Sequence, residues 1–281
     1  MASAYGMDDL LYLMARLRDP QSGCPWDLKQ DFSTIAPSTL EEAYELVQAI
    51  ADHDAAHIRE ELGDLLFQVV FYARMGEERG WFDFADIATG LTDKLVRRHP
   101  HVFPDGHLRS QRDAGQPVDE GGLHARWESI KQDERAGRDH ASLMDDVPVA
   151  LPALSRAQKL QKRASLAAFD WADAAGVLDK LDEECAELKH ALAAGDRADQ
   201  ARELGDVLFT AVNLARHLKF DSEALLRDTA RRFEQRFRDM EQHAAAQGRE
   251  LATLQAGERD ALWEAAKSRE RSGFESDAAD V

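Results

Sequence analysis

The sequence predicts an all-α protein built from two tandem copies of one helical unit. Apolar residues recur at helical spacing along most of the 281 residues, and alternating strand patterns of useful length are absent. The second observation is an acidic pattern that occurs twice, 142 positions apart (184 minus 42). Its members are Glu42, Glu45, Glu61 and Asp64 in the first copy and Glu184, Glu187, Glu203 and Asp206 in the second. Duplication explains this repetition better than chance.

In the first half, the apolar spacing predicts a helix that stops at Asp19 and Pro20, followed by a loop over residues 21–37. Ser38 or Thr39 is the predicted cap of the next helix, because a hydroxyl can accept hydrogen bonds from free backbone N–H groups. That helix runs to about residue 51. Further helices are predicted over residues 55–80, 83–99 and 126–135, with a polar loop at 104–122.

The second half repeats this order, with helices predicted over residues 149–164, 174–194, 198–218, 221–247 and 258–271. A four-residue deletion shifts the offset to 138, which pairs Lys94 with Arg232 and Arg98 with Arg236. Residues 1–137 are therefore predicted to form the first domain, 138–148 a linker, and 149–281 the second domain.

Composition and charge argue against several classes of protein. A formal net charge of −18 argues against a general binder of nucleic-acid backbones, which needs a basic face. Only Cys24 and Cys185 are present, so no disulfide framework is expected. The sequence shows no secretory signal and no apolar run long enough to span a bilayer. We therefore expect a cytoplasmic protein that binds neither nucleic acid nor membrane.

The repeated acids point to a hard cation. Residues three apart on a helix share a face, and the short segment 51–56 allows two helices to fold into an antiparallel hairpin. The four carboxylates of one copy would then lie close together and repel each other unless a divalent cation neutralised them. Ligands that are all oxygen favour Mg²⁺, with Mn²⁺ as a substitute. Each second pair encloses a glycine, Gly63 or Gly205, which predicts close approach of another helix or a ligand.

Basic and aromatic residues also repeat. In each copy two basic residues lie one turn apart and could hold phosphate oxygens. Each copy also has a tryptophan one turn before a lysine; the ring could stack on a base or simply anchor the last helix. These candidates are Lys94, Arg98, Trp127 and Lys131 in the first copy, and Arg232, Arg236, Trp263 and Lys267 in the second.

Two other classes stay open at this point. The acids could form a solvated face by which a non-catalytic helical protein docks a basic partner. Alternatively, Glu187-x-x-His190 matches one element of a di-iron carboxylate bundle, but Gln48 stands where the first copy would need the histidine. The chain contains neither a Walker phosphate loop nor a Gly-x-Ser-x-Gly nucleophile elbow.

Several motifs together resemble the MazG family of nucleoside triphosphate pyrophosphohydrolases, and the resemblance covers nearly the whole chain. The first copy carries them as Cys24-Pro25-Trp26-Asp27, Glu41-Glu42-x-x-Glu45, Glu61-Leu62-Gly63-Asp64 and Arg97-Arg98-His99-Pro100-His101. The second copy carries them as Glu183-Glu184-x-x-Glu187, Glu203-Leu204-Gly205-Asp206 and Asn213-Leu214-Ala215-Arg216-His217.

The resemblance implies an all-α fold and homodimers whose helices complete four-helix-bundle-type cores. It also implies Mg²⁺-dependent cleavage of a nucleoside triphosphate to the monophosphate and pyrophosphate, and a role in clearing surplus or non-standard nucleotides. Base selectivity is expected to be loose, because the sequence offers few polar groups suited to reading a base edge. The resemblance also implies that the second copy is the main catalytic unit. The implied metal ligands and catalytic residues are Glu184, Glu187, Glu203 and Asp206, and the implied nucleotide contacts are Lys180, Arg232, Arg236, Trp263 and Lys267. Ser38 stands at the position of Lys180 in the first copy. Family members often have lysine where this chain has Arg232, and some have it where this chain has Asp199.

Overall fold

The regular structure of the chain is helical. The computed structural model describes residues 4–113, 115, 121–123, 126–127, 129–130, 134 and 142–277, with side chains as far as residue 270. Within these ranges the only regular elements are helices, which confirms the predicted all-α class. No helix in the described part of the chain combines the length and apolar character needed to cross a membrane.

The chain divides into two compact units, Met1–Gly137 and Arg138–Val281. Residues 138–141 lie outside the described residues, so the linker predicted at 138–148 stays a prediction. Each unit contains its own helical hairpin, and each is described by itself below.

The first unit is built around a hairpin of two long helices, α2 and α3. Helix α1 packs on α3, and Met14, Val70, Phe71 and Met75 fill the core between them together with Ile35 of α2. The helices are α1 (Met7–Leu17), α2 (Phe32–Ala51), α3 (Ala55–Glu78) and α4 (Phe84–Arg98). Part of the segment predicted as a helix at 126–135 is described, and residues 126–127, 129–130 and 134 are helical there.

Helix α2 starts earlier than the sequence indicated. Its N-terminal cap is Asp31, whose carboxylate accepts hydrogen bonds from the backbone N–H groups of residues 33 and 34. The prediction that Ser38 or Thr39 caps this helix was wrong, and Pro37 lies inside it. The proline lacks one helical donor, but the turn before it is anchored because the Phe32 ring stacks on Tyr72 with centroids 5.6 Å apart.

The loop between α1 and α2 is fastened to α3 by one arginine. Arg18 is 7% exposed and its guanidinium lies 2.7 Å from Glu78 near the end of α3. The same guanidinium donates a 2.5 Å hydrogen bond to the backbone carbonyl of Asp27. Because this contact reaches the Cys24–Asp27 motif, that motif has a structural role in holding the start of α2 against the hairpin.

The second unit repeats the hairpin. Its helices are α5 (Ala153–Ser165), α6 (Ala174–Ala194), α7 (Arg197–His217), α8 (Ser222–Ala246) and α9 (Ala256–Asp277). Helices α6 and α7 form the equivalent of the α2–α3 hairpin, and α5 packs on α7 and α8. Gln158 accepts a 2.9 Å hydrogen bond from the backbone N–H of Ser222, which fixes α5 against the start of α8. Helix α9 packs along α8.

The two hairpins turn in the same way. Asp54 caps α3 and Asp196, 142 positions later, caps α7, each accepting hydrogen bonds from two backbone N–H groups of the first turn. The residue just before each cap has a left-handed backbone, with φ of 55° at His53 and 78° at Gly195. Because cap and turn are shared, both hairpins place their acids in equivalent positions.

Candidate metal and nucleotide site

Each hairpin gathers three carboxylates into one cluster. The first helix supplies two glutamates three residues apart, and the second helix supplies one glutamate from its inner face. Within each cluster, one carboxylate oxygen from every member lies within 4.8 Å of the others. The clusters are Glu42, Glu45 and Glu61 in the first unit and Glu184, Glu187 and Glu203 in the second. Folding the hairpin therefore assembles most of each predicted quartet.

The fourth acid of each quartet lies outside these tight groups but acts on them electrostatically. Burial raises the pKa of Glu42, and the next contribution in size comes from the charge of Asp64. Burial also raises the pKa of Glu203, where Asp206 adds a small further increase. The carboxylates of each quartet therefore disfavour one another's charged form, as expected for a site that a cation would complete.

One buried oxygen in each cluster has no hydrogen-bond partner. These atoms are Glu61 Oε2 and Glu203 Oε2, which occupy equivalent positions in the two copies. The residues are only 6% and 4% exposed. Leaving a buried carboxylate oxygen unpaired is costly, and a bound cation would satisfy it. The donors are oxygen atoms only, which fits Mg²⁺ or Mn²⁺, so each cluster could hold a metal ion.

In the second copy, two basic side chains are paired with the acids. Lys180 Nζ lies 3.0 Å from Glu184 Oε1, and the neighbouring carboxylates raise the lysine pKa. Arg202 Nη2 lies 2.6 Å from Glu203 Oε1 and 2.5 Å from Asp199. Arg202 was not among the predicted site residues. Its position next to Glu203 in the chain was the available signal.

In the first copy the buried glutamate, Glu61, has a different partner. His57 Nε2 lies 2.7 Å from Glu61 Oε1, so the buried glutamate pairs with an imidazole here and with Arg202 in the second copy, although His57 aligns with Asp199 (199 minus 57 is 142). Ser38 stands where the second copy has Lys180. The two clusters thus share their carboxylates but differ in the charged groups around them.

Four of the five implied nucleotide contacts of the second copy lie on α8 and α9, and two of them, Arg236 and Trp263, meet where these helices pack. The Arg236 guanidinium lies 5.5 Å from the centroid of the Trp263 ring, in a cation–π arrangement. Lys267 follows one turn later on α9 and pairs with Glu264 at 2.9 Å. Arg232 donates a 2.9 Å hydrogen bond to a threonine hydroxyl on its own helix. Among the described residues, no hydrogen bond or ion pair joins these four side chains to the acidic cluster.

In the first copy, Arg98 pairs with Glu134, with Nη2 and Oε2 2.5 Å apart. Lys94 is half-buried on α4, one turn before Arg98, and Trp127 is 37% exposed. Lys131, predicted to contact the nucleotide, lies outside the described residues. The predicted basic pair is therefore present on one helix, with an acidic partner that sequence reasoning missed.

That partner recurs in the second copy. Arg236 Nη2 lies 2.5 Å from Glu270 Oε2. Glu134 and Glu270 are separated by 136 positions (270 minus 134), the same offset that relates Trp127 to Trp263. The sequence therefore contained the signal for this pair.

Within the described part of each unit, no other helix approaches the two glycines, and their contact with a ligand or a second chain stays a prediction. A Cβ atom added at Gly63 or Gly205 would meet no described atom within 4 Å, so no element of the same unit approaches these positions. The reason is that each glycine lies on the outer side of its helix, whereas Glu61 and Glu203 face the packed side. Both glycines lie beside exposed leucines.

The fold and the acidic clusters define the class: an all-α protein with a duplicated, carboxylate-bearing helical hairpin. The MazG nucleotide pyrophosphohydrolase domain matches residues 30–103 and 174–240, which together make up half of the chain and contain both quartets. The chain belongs to the MazG family.

Known proteins are similar over nearly the whole chain. A nucleoside triphosphate pyrophosphohydrolase of Escherichia coli (strain K12) is 47% identical over 266 residues, which cover 94% of this chain and 98% of that protein. A nucleoside triphosphate pyrophosphohydrolase/pyrophosphatase MazG of Thermotoga maritima is 40% identical over 260 residues, covering 92% and 95%. An uncharacterised protein YabN of Bacillus subtilis (strain 168) is 40% identical over 92% of this chain but 51% of its own length.

Proposed function

We propose that this chain is a Mg²⁺-dependent nucleoside triphosphate pyrophosphohydrolase that releases nucleoside monophosphate and pyrophosphate. Membership of the MazG family over both copies supports the reaction class, as do two similar proteins named for it. The observation that carries the metal assignment is the buried, unpaired oxygen of Glu203 within a cluster of carboxylates, repeated at Glu61. Family membership and the oxygen-only donors favour this proposal over the non-catalytic interaction protein and the di-iron protein.

The acids of the second copy are the proposed metal ligands. Glu184, Glu187 and Glu203 supply oxygens that already lie close together, and Asp206 adds negative charge beside them. Magnesium, when bound, would neutralise the phosphate chain and lower the pKa of a nearby water. These carboxylates would fix the position of the magnesium ion, because they are held by the two helices of one hairpin.

The basic and aromatic residues would bind the rest of the nucleotide. Lys180 lies at the edge of the acidic cluster, so it can meet a phosphate oxygen next to the cation. Arg232, Arg236 and Lys267 would hold further oxygens, and Trp263 offers a partly exposed ring for a base. Stacking on a ring does not read base edges, so base selectivity would be loose and would suit clearance of surplus or non-standard nucleotides.

The second copy is the proposed main catalytic unit. It has Lys180 where the first copy has Ser38, and its buried glutamate pairs with the permanently charged Arg202, whereas the buried glutamate of the first copy pairs with His57. The cytoplasm is the proposed compartment. Both cysteines, Cys24 and Cys185, are free, which suits a reducing environment.

A homodimer is proposed because each hairpin leaves a leucine face uncovered in its own unit. On α3, Leu62 and Leu66 are 52% and 36% exposed, and on α7 the equivalent Leu204 and Leu208 are 50% and 55% exposed. These leucines are spaced by four residues, so each pair forms a stripe along one side of its helix. A second copy of the chain could cover each stripe with its own hairpin and complete a four-helix core.

The test combines product analysis with matched variants. Wild-type protein with Mg²⁺ and a panel of nucleoside triphosphates is expected to release monophosphate and pyrophosphate in equal amounts. Glu203→Gln is expected to lower turnover by at least about 100-fold, because even changes to groups around metal ligands cost 10- to 100-fold. The matched first-copy variant Glu61→Gln is expected to keep most of the activity. Metal-dependent turnover that survives Glu203→Gln would refute the second-copy assignment.

A further inference from the structure

Glu270, on the last helix of the second unit, holds an arginine that is proposed to bind phosphate. We infer that Glu270 is a positioning residue for the pyrophosphohydrolase reaction and acts through Arg236. The inference rests on the proposed function, because it assigns a task to a side chain beside the proposed nucleotide contacts. No role for Glu270 follows from the acidic repeat, since it lies outside both quartets.

In both units the glutamate contacts the same edge of the arginine guanidinium, although Glu134 also accepts hydrogen bonds from a second arginine, Arg97, at 2.9 and 2.6 Å. Glu270 Oε2 accepts from Nε of Arg236 at 2.6 Å and lies 2.5 Å from Nη2. In the first unit, Glu134 Oε2 accepts from Nε and Nη2 of Arg98 at 3.1 and 2.5 Å. Because two diverged copies use the same edge of the guanidinium, the arrangement is a shared feature of the unit.

This geometry leaves the guanidinium ready for an anion. A guanidinium has five N–H donors, and Glu270 engages only the edge that carries Nε and Nη2, so both donors on Nη1 lie outside this contact. The ring of Trp263 lies 5.5 Å from the guanidinium carbon and restricts it from a second direction. A long, flexible side chain held at two points loses less freedom when phosphate binds, which favours productive orientation.

The Arg236–Glu270 ion pair is less exposed than Arg238–Glu234, a surface ion pair within α8. The side chains of Arg236 and Glu270 are 24% and 19% exposed, whereas those of Arg238 and Glu234 are 69% and 59% exposed. Partial burial strengthens an ion pair that water would otherwise screen. Glu234 therefore offers a matched control in which a glutamate bound to an arginine of α8 is also neutralised.

Glu270 is not needed simply to join α8 to α9. Arg269, its neighbour, pairs with Asp239 of α8. Met240, Ala244 and Ala266 are buried along these helices. Removing the charge of Glu270 should therefore leave the helices packed while it frees Arg236 to adopt other rotamers.

The experiment is a double-mutant cycle on the full-length protein, measured as kcat and KM for a nucleoside triphosphate with Mg²⁺. Glu270→Gln is expected to lower kcat/KM by about 10- to 100-fold, and Glu234→Gln by less than about twofold. Arg236→Gln is expected to lose at least as much as Glu270→Gln. The double variant should lose no more than Arg236→Gln alone, because the glutamate acts only through the arginine.

Two results would overturn the inference while leaving the proposed function intact. One is an active Glu270→Gln protein with wild-type kcat/KM; the other is a double variant whose losses multiply, which would indicate independent, structural effects. If Glu270→Gln fails to fold, Glu270→Ala takes its place, and its wild-type kcat/KM would likewise contradict the inference. Absence of pyrophosphate release by the wild-type protein would instead refute the proposed function itself.

Discussion

Helix α3 carries two glycines that should respond in opposite ways to the same substitution. Replacing a mid-helix glycine by alanine stabilises a helix by about 1 kcal/mol, because alanine restricts the unfolded backbone. At Gly63 the new methyl group would meet no described atom within 4 Å, so this gain should remain in the isolated unit. At Gly76 it would lie 2.5 Å from the Phe82 ring and 2.8 Å from the backbone oxygen of that residue.

The steric cost at Gly76 should exceed the gain. Overpacking in a core costs about 1–3 kcal/mol, and a backbone oxygen cannot rotate away as the end of a side chain can. Gly76→Ala is therefore expected to lower the free energy of unfolding of the first unit by on the order of 1 kcal/mol. Urea denaturation followed by circular dichroism would measure both variants against the wild-type protein. Equal stabilisation by Gly63→Ala and Gly76→Ala would contradict the reasoning.

Gly63→Ala also tests the proposed dimer. The glycine lies beside the exposed Leu62, on the face that a second copy would cover. If a partner helix packs there, the added methyl group should weaken association while it stabilises the separate unit. Light scattering over a dilution series should then show dissociation at a higher protein concentration than for the wild type. An unchanged dimer would place the subunit contact elsewhere, and a wild-type protein that stays monomeric at every concentration would refute the dimer.

Three further predictions follow from single contacts. Hydrogen bonds from Arg98 hold the pKa of Glu134 at about 2, below its usual 4.5. This lowered pKa stabilises the fold above pH 4.5, and the stabilisation is lost as the pH falls from 4.5 to 2. Glu134→Gln should therefore flatten the dependence of the urea midpoint on pH between pH 4.5 and pH 2. Phe71→Ala should cost about 3–5 kcal/mol in urea denaturation, because the ring is fully buried; a loss below 1 kcal/mol would contradict this. Asp31→Ala should lower the free energy of unfolding by about 1 kcal/mol, because it removes the cap of α2. Asp31→Asn should retain most of the stability, because asparagine also caps helices.

The repeated spacing was enough to predict the fold class and the acidic clusters. The three-residue spacing within each pair fixes one helix face, and a three-residue turn before Ala55 leaves a hairpin as the compact solution. The structure then gathers Glu42, Glu45 and Glu61 as predicted. These features were predictable because they depend on local helix geometry and on a short loop, both of which sequence determines directly.

Contacts between distant residues were harder to predict. Helix α2 begins with Asp31 as its cap and with Phe32 stacked on Tyr72, forty residues later, so the predicted loop over residues 21–37 placed the start too late. The environment of Gly205 depends on which side of α7 faces its neighbours. The pairing of Arg236 with Glu270 had a signal, an offset of 136 shared with the tryptophans, but only the packing of α9 on α8 shows that the two side chains meet.

The two units share the scaffold of the acidic cluster but differ in the charged groups around it. The carboxylates, the aspartate caps and the left-handed turn residue occur at equivalent positions in both hairpins, so the scaffold that gathers the acids is the same. The groups facing those acids differ: His57 pairs with Glu61, whereas Arg202 pairs with Glu203. A guanidinium stays charged at any physiological pH, whereas an imidazole is charged only when protonated. The second hairpin therefore combines its acidic cluster with fixed positive charge, and the proposed binding of a cation together with an anionic phosphate chain would use both.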